Sequence, residues 1–153
     1  KRTGHKRSIN RHTWDYEKLE KQLKDPTSPH STVLEELCRL IQIRRRQKAF
    51  HPNATQYTLH PLNRALFAFW RQSMTRDQSI FSVHNLSDQP QDLRLSDLNL
   101  VSTDAWIDLI SGDKFEDIRD TYTLQPYQSV WITNKFTAAE GNLPSCYYVC
   151  EKP

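Results

Sequence analysis

The sequence predicts a chain of two unlike parts, a basic loop with two helices over residues 1–52 and an all-β antiparallel domain over residues 53–135. Apolar residues recur at helical spacing before Pro52 and change to alternation and short apolar runs after it. Clusters of turn-forming residues separate those runs at close intervals. The helical stretches are bounded by capping and breaking residues.

Residues 1–14 carry no apolar period and read as a basic loop ending at Trp14. Tyr16, Leu19 and Leu23 then predict a helix from Asp15 to Lys24, with Thr13 or Asp15 as its cap. The run from Asp25 to Pro29 stops it, because proline supplies no donor and disfavours helix in the residue before it. Thr32 and Glu35 have capping-box spacing and predict the start of a second helix. Its broad apolar stripe comprises Val33, Leu34, Leu37, Cys38, Leu40 and Ile41. Arg44, Arg45, Arg46 and Lys48 suit the negative end of its dipole, and His51-Pro52-Asn53 terminates it.

Strands are expected around Tyr57 and Leu59, Arg64 to Trp70, Ile80 to His84 and Leu93 with Leu95. Further strands are expected at Trp106 to Ile110, Tyr122 to Leu124 and Val130 to Thr133. Several short strands with turns between them indicate an antiparallel sandwich or barrel. Residues 136–153 have too weak a pattern to place and form a tail.

The 153 residues suffice for one ordinary domain or one domain with part of another. The chain begins at Lys1 and holds one methionine, Met74, which suggests a piece of a longer polypeptide. Two amphipathic helices ahead of a β domain are expected to pack on something outside this chain. No apolar run approaches a membrane span, and the start has no signal-peptide pattern. Cys38, Cys146 and Cys150 give no disulfide framework, so a reducing, cytoplasmic setting is expected. His51 and His60, and Cys146 with Cys150, lack the clustering a metal site needs.

Two stretches resemble known proteins. Arg7-Ser8-Ile9-Asn10-Arg11-His12 is similar to the R-D-I-N-R-H segment that closes the (β/α)8 barrel of sucrose phosphorylases. The two helices after it, ending in a basic run and Ala49-Phe50, follow that family's order. Residues 80–90, Asp108-Leu109-Ile110-Ser111-Gly112 and residues 124–132 resemble the C-terminal β-sandwich of α-amylase-superfamily enzymes. There V-x-N-L-S-D-x-P, D-L-L-S-G and L-x-P-Y-x-x-x-W-L recur in that order.

The resemblance implies terminal helices of a (β/α)8 barrel followed by a Greek-key-like antiparallel sandwich. It implies the C-terminal part of a retaining α-glucosyl-transferring enzyme, with a glucoside and inorganic phosphate as partners, no cofactor, and catalytic carboxylates on barrel strands outside this chain. Ser8 stands where sucrose phosphorylases carry Asp, which extends the resemblance to phosphorylases of glucosylglycerate or of a phosphorylated disaccharide. Arg7 is the substrate-binding residue carried over, since a guanidinium can fork to a carboxylate and sugar hydroxyls together. Asn10 and His12 accompany it; Asn10 also suits a hydrogen bond within the loop, and His12 a structural role. No residue of the chain is assigned to catalysis or to a metal.

Two competing readings follow from the residues alone. The basic loop and Arg44-Arg45-Arg46 suit nucleic acid, but no zinc spacing, RNA-binding strand signature or Gly-rich clamp accompanies them. A stand-alone carbohydrate-binding or interaction domain would use Trp70, Trp106 and Trp131 as stacking rings, although strand-borne aromatics more often fill a core. Asn53-Ala54-Thr55 and Asn85-Leu86-Ser87 match the glycosylation sequon.

Overall fold

Two short polar side chains, Asp15 and Ser28, set the starts of the two helices. In the computed structural model, which describes residues 13–98, 100, 105–117 and 119–135, these residues fall into two compact units, residues 13–39 and 40–135. In the first unit, Asp15 caps α1 (Tyr16–Lys24) by accepting from the Lys18 amide at 3.1 Å. Asp25 ends it and folds back to accept from the amide and hydroxyl of Thr27 at 2.9 and 2.7 Å. That turn delivers Ser28 to the start of α2 (Pro29–Arg45).

The second helix begins four residues earlier than the Thr32/Glu35 spacing predicts, with Ser28 and not Thr32 at its cap. Ser28 Oγ accepts from the His30 amide at 3.2 Å, and the Ser28 carbonyl accepts from the Thr32 amide at 3.1 Å. Pro29 occupies the first helical position, where a missing N–H costs nothing and its fixed φ is already helical. Glu35 accepts from Ser31 Oγ at 3.3 Å instead of closing a box with Thr32. The apolar stripe of this helix is open: Val33, Leu37 and Ile41 are 66%, 52% and 46% exposed.

In the second unit, a 3-10 turn (Lys48–Phe50) leads into eight strands. They are β1 (Thr55–Leu59), β2 (Leu66–Gln72), β3 (Ser79–Asn85), β4 (Gln91–Arg94), β5 (Trp106–Asp108), β6 (Lys114–Phe115), β7 (Thr121–Leu124) and β8 (Ser129–Thr133). Six form one antiparallel sheet in the order β1-β2-β3-β8-β5-β6, and β4 pairs with β7 in a second, two-stranded sheet. The connectivity is nested, with the β4–β7 pair inside the β3–β8 pair. The runs read from the sequence fall on these strands except at their ends: Arg64 precedes β2, and Leu109 and Ile110 follow β5 in a turn. Leu95, expected on a strand with Leu93, sits in a 3-10 turn (Leu95–Leu98), and the two-residue β6 was too short to show a period.

Alternation gives the large sheet two distinct faces. Leu66 and Ala68 of β2, Phe81 and Val83 of β3, and Val130 and Ile132 of β8 point inward. They meet Leu93 and Leu124 of the small sheet in one buried core. Phe81 and Trp106 pack edge to face in it at 5.6 Å. On the outer face, Ile80, Trp131 and Leu109 form a second cluster with Ala49, Phe50 and Ile43.

Leu124 is fully buried in the main core, so Leu124→Ala is expected to cost about 2–5 kcal/mol. Leu62→Ser, at a site 75% exposed, is expected to change stability by less than about 0.5 kcal/mol. Urea unfolding of both variants checks this, and comparable losses would contradict the placement of the core.

Candidate functional site

The predicted substrate-binding residues Arg7, Asn10 and His12 lie outside the described residues, as do Cys146 and Cys150. The motif residues of the β domain are described, and they show what polar groups do there.

Asn85 ends β3 and is 2% exposed. Its side-chain amide donates to the carbonyls of Gln89 at 2.7 Å and Gln125 at 2.9 Å, and its Oδ1 accepts from the amide and hydroxyl of Ser87 at 2.9 and 2.8 Å. The Asn85 amide donates to the Gln128 carbonyl and the Tyr127 amide to the Ser87 carbonyl. Tyr127 takes a φ of 57°, a left-handed turn conformation rare for a bulky residue. One asparagine thus ties residues 85–90 to residues 124–128. Its buried and fully engaged amide is closed to glycosylation despite the sequon.

Asp108, 1% exposed, plays the same part at the end of β5. Its carboxylate accepts from the Ile110 amide at 3.2 Å, the Ser111 amide at 3.0 Å, the Ser111 hydroxyl at 2.8 Å and the Trp131 amide at 2.7 Å. Gly112 follows at φ 85°, where a side chain would be strained, and its amide donates to the Asp108 carbonyl. Four donors fill the acceptor sites of this carboxylate, which holds a turn against β8. A carboxylate so occupied is a structural anchor, not an acid or a nucleophile.

A third cluster fastens the segment before the sheet. Gln78, 3% exposed, donates to Gln47 Oε1 at 2.7 Å and accepts from the Ala49 amide at 3.0 Å. Arg71 on β2 donates to the carbonyls of Ala49 at 2.9 Å and His51 at 2.7 Å. Beside them Asp77 pairs with Lys135 at 2.7 Å and Lys48 at 3.1 Å and accepts from the hydroxyls of Thr75 and Ser73. The Lys135 ammonium first, then those hydroxyls and Lys48, hold the Asp77 carboxyl well below the usual carboxylate range. Apart from Ser73 and Thr75, which are near Asp77 in sequence, the partners are 20 to 58 positions away, so no sequence spacing announces them.

The last cluster is on the outer face. His84 is stacked on Phe67 and Phe69 at centroid distances of 6.0 and 5.8 Å. Its Nε2 lies 3.0 Å from Ser82 Oγ and its Nδ1 2.7 Å from Ser129 Oγ. Burial lowers its pKa, which favours the neutral ring.

The three tryptophans named as sugar-stacking candidates are packed. Trp106 is 3% exposed in the main core, Trp70 stacks on Tyr57 at 5.7 Å, and Trp131 meets Phe50 edge to face at 5.0 Å. Among the described residues no three His, Cys, Asp or Glu side chains come together as a metal site would require, and no helix is long and apolar enough to cross a membrane.

Residues 57–131 match the family model described as Maltogenic Amylase, C-terminal domain. The chain is 32% identical over 130 residues to a glucosylglycerate phosphorylase of Allomeiothermus silvanus, covering 85% of this chain and 20% of the relative. Glucosylglycerate phosphorylases of Spirochaeta thermophila and Escherichia coli are 29% and 26% identical, covering 86% and 84% of this chain and 24% and 21% of their own. The chain therefore spans about a fifth of the length of these curated relatives. The fold is shared with AmyP in complex with maltose, at a TM-score of 0.52 and 15% identity over 67% of this chain and 20% of that one. It is shared too with Bacillus licheniformis trehalose-6-phosphate hydrolase, at a TM-score of 0.51 and 21% identity over 76% and 20%.

The Asp77 cluster generates a pH prediction. A carboxyl with a lowered folded pKa adds stability above its unfolded value of about 3.9, and that stability is lost as pH falls through the folded value. Asp77→Asn is expected to melt below the wild type at pH 7, with the gap closing below about pH 4. Melting curves across that range check this; an unchanged gap at pH 2.5 would show that the charge of Asp77 does not contribute.

Proposed function

We propose that this chain, whose residues 57–131 form an α-amylase-family C-terminal domain of the maltogenic-amylase kind, completes a retaining α-glucosyl-transferring enzyme related to the glucosylglycerate phosphorylases. The observation that carries this reading is the reach of the likeness. It runs over 129 to 140 residues in three phosphorylases of the same name, well past the domain match. A C-terminal domain shared by many activities gives a fold; similarity that extends beyond it bears on the enzyme to which it is joined.

In this reading residues 1–52 close the catalytic barrel, residues 53–135 are the β domain, and residues 136–153 are a tail. The exposed stripe Val33, Leu37 and Ile41 supports the barrel assignment, because a helix with such a stripe gains by burying it. The substrates are a glucoside and inorganic phosphate, handled in the cytoplasm without a cofactor. Retaining transfer needs one carboxylate as nucleophile and one carboxylic acid about 5–5.5 Å away. The two described carboxylates with the most partners, Asp77 and Asp108, are engaged in holding turns. The catalytic pair is assigned to the barrel ahead of Lys1.

Arg7, with Asn10 and His12 beside it in the loop, is assigned to the glucosyl-binding pocket. Its guanidinium would pair with a barrel carboxylate and donate to sugar hydroxyls.

The 153-residue chain alone is expected to release neither glucose 1-phosphate nor glucose from glucosylglycerate with phosphate, whereas the full-length enzyme releases glucose 1-phosphate. Product formed by the purified chain alone would overturn this reading. In the full-length enzyme, Arg7→Ala is expected to lower kcat/KM by roughly a hundredfold or more, since a hydrogen bond to a charged group contributes about 1.5–3 kcal/mol and about 1.4 kcal/mol is tenfold. Arg7→Lys recovers little, and Lys6→Ala is the control. Steady-state rates with melting temperatures decide it; equal rates for Arg7→Ala and Lys6→Ala remove Arg7 from the pocket.

A further inference from the structure

The two edges of the large sheet are built differently. In the strand order β1-β2-β3-β8-β5-β6, β1 and β6 are the outermost strands among the described residues. An edge strand presents backbone N–H and C=O groups that can pair with another chain, and proteins blunt such edges with charge, proline, bulges or short length. The β6 edge is blunted. It is two residues long, and Asp113, Lys114 and Glu116 surround it with exposed charge. The β1 edge has none of these devices within the strand. Its five residues, Thr55-Gln56-Tyr57-Thr58-Leu59, pair with β2 in unbroken register, and all but Leu59 are exposed. Between Lys48 and Arg64 the sequence has no acidic residue, lysine or arginine.

Tyr57 marks the middle of this edge. Its ring lies nearly parallel to that of Trp70, directly opposite on β2, at a centroid distance of 5.7 Å and an interplanar angle of 11°. Trp70 in turn packs against the main core. The stack therefore begins at the core and stops at Tyr57, which is 61% exposed. One face of the Tyr57 ring is on Trp70, and the other turns away from β2, where no further strand lies among the described residues.

We infer that β1 is a dimerisation edge, on which β1 of a second copy pairs antiparallel about a two-fold axis at Tyr57. Three features select a second copy as the occupant. Tyr57 is the central residue of the strand, so this register opposes Thr55 to Leu59, Gln56 to Thr58 and Tyr57 to its own counterpart, and no residue of the strand goes unmatched. The absence of charge lets two identical strands meet without like-charge repulsion. The axis also sets a second tyrosine ring beside the bare face of the first, with opposed Cβ atoms about 4.5–5.5 Å apart, so the row of stacked rings continues across the interface. The inference concerns assembly and stands apart from the proposed reaction.

The test is sedimentation velocity of the full-length protein over a concentration series, for the wild type, Tyr57→Lys, Tyr57→Glu and an equimolar mixture of the two variants. Residue 57 is exposed, so both variants are expected to fold, and melting curves check this. The wild type is expected to dimerise. Each variant alone sets like charges directly opposite each other and is expected to raise the dimer dissociation constant roughly tenfold or more. The mixture sets opposite charges there and is expected to restore the dimer, which misfolded chains could not do. A wild type that stays monomeric overturns the inference, whether β1 is bare or covered by another segment of the same chain. A dimer indifferent to both substitutions, or a mixture no more dimeric than its components, overturns it as well.

Discussion

The pairing of β3 with β8 is the constraint on which the rest of the β domain depends. It joins residues 79–85 to residues 129–133, a long loop closure whose entropy must be offset by what the pairing buries. Val83 opposite Val130 and Phe81 opposite Ile132 place four apolar side chains at the centre of the inward face. Every other strand is positioned by this pair. The β2 strand adds to one edge and β5 to the other, and the β4–β7 ribbon folds over the resulting face.

The polar motif residues make sense against that pairing. Asn85 ends β3, and its side chain grips the turn that feeds β8. Asp108 lies across from Ile132 and accepts from the amide of Trp131. Each is buried, and a buried polar group is costly unless its bonds are made, so each holds one geometry of its turn. Residue types that elsewhere perform chemistry serve here as backbone clamps. A motif that names a superfamily without naming its reaction is what such residues would produce, since the fold requires them whatever the attached site does.

The two faces of the large sheet divide labour. The inner face makes the domain, and the outer face receives the incoming polypeptide. Arg71 and Gln78 hold the backbone of Ala49, while Ile80, opposite Arg71 in the sheet, and Trp131 pack with Ala49 and Phe50. The segment that leads into the domain is therefore part of its outer core.

Much of this was legible in the residues. Period 3.6 before Pro52 and short alternating runs after it fixed helix and strand types, since periodicity reports directly which side of an element meets a core. The motif order from Ile80 to Ile132 pointed to the α-amylase superfamily, and the family match at 57–131 agrees. The sequence could not show that α2 starts at Pro29, because Ser28 becomes a cap only when the Asp25 turn delivers it. Nor could it show that Asn85, Asp108 and Gln78 are clamps, that Trp106 is core, or that His84 is satisfied by Ser82 and Ser129. Each depends on a partner brought close by strand pairing across tens of residues. Local sequence sets a residue's conformation and face; only tertiary structure decides which distant group satisfies it, because hydrogen bonds and packing act between neighbours in space.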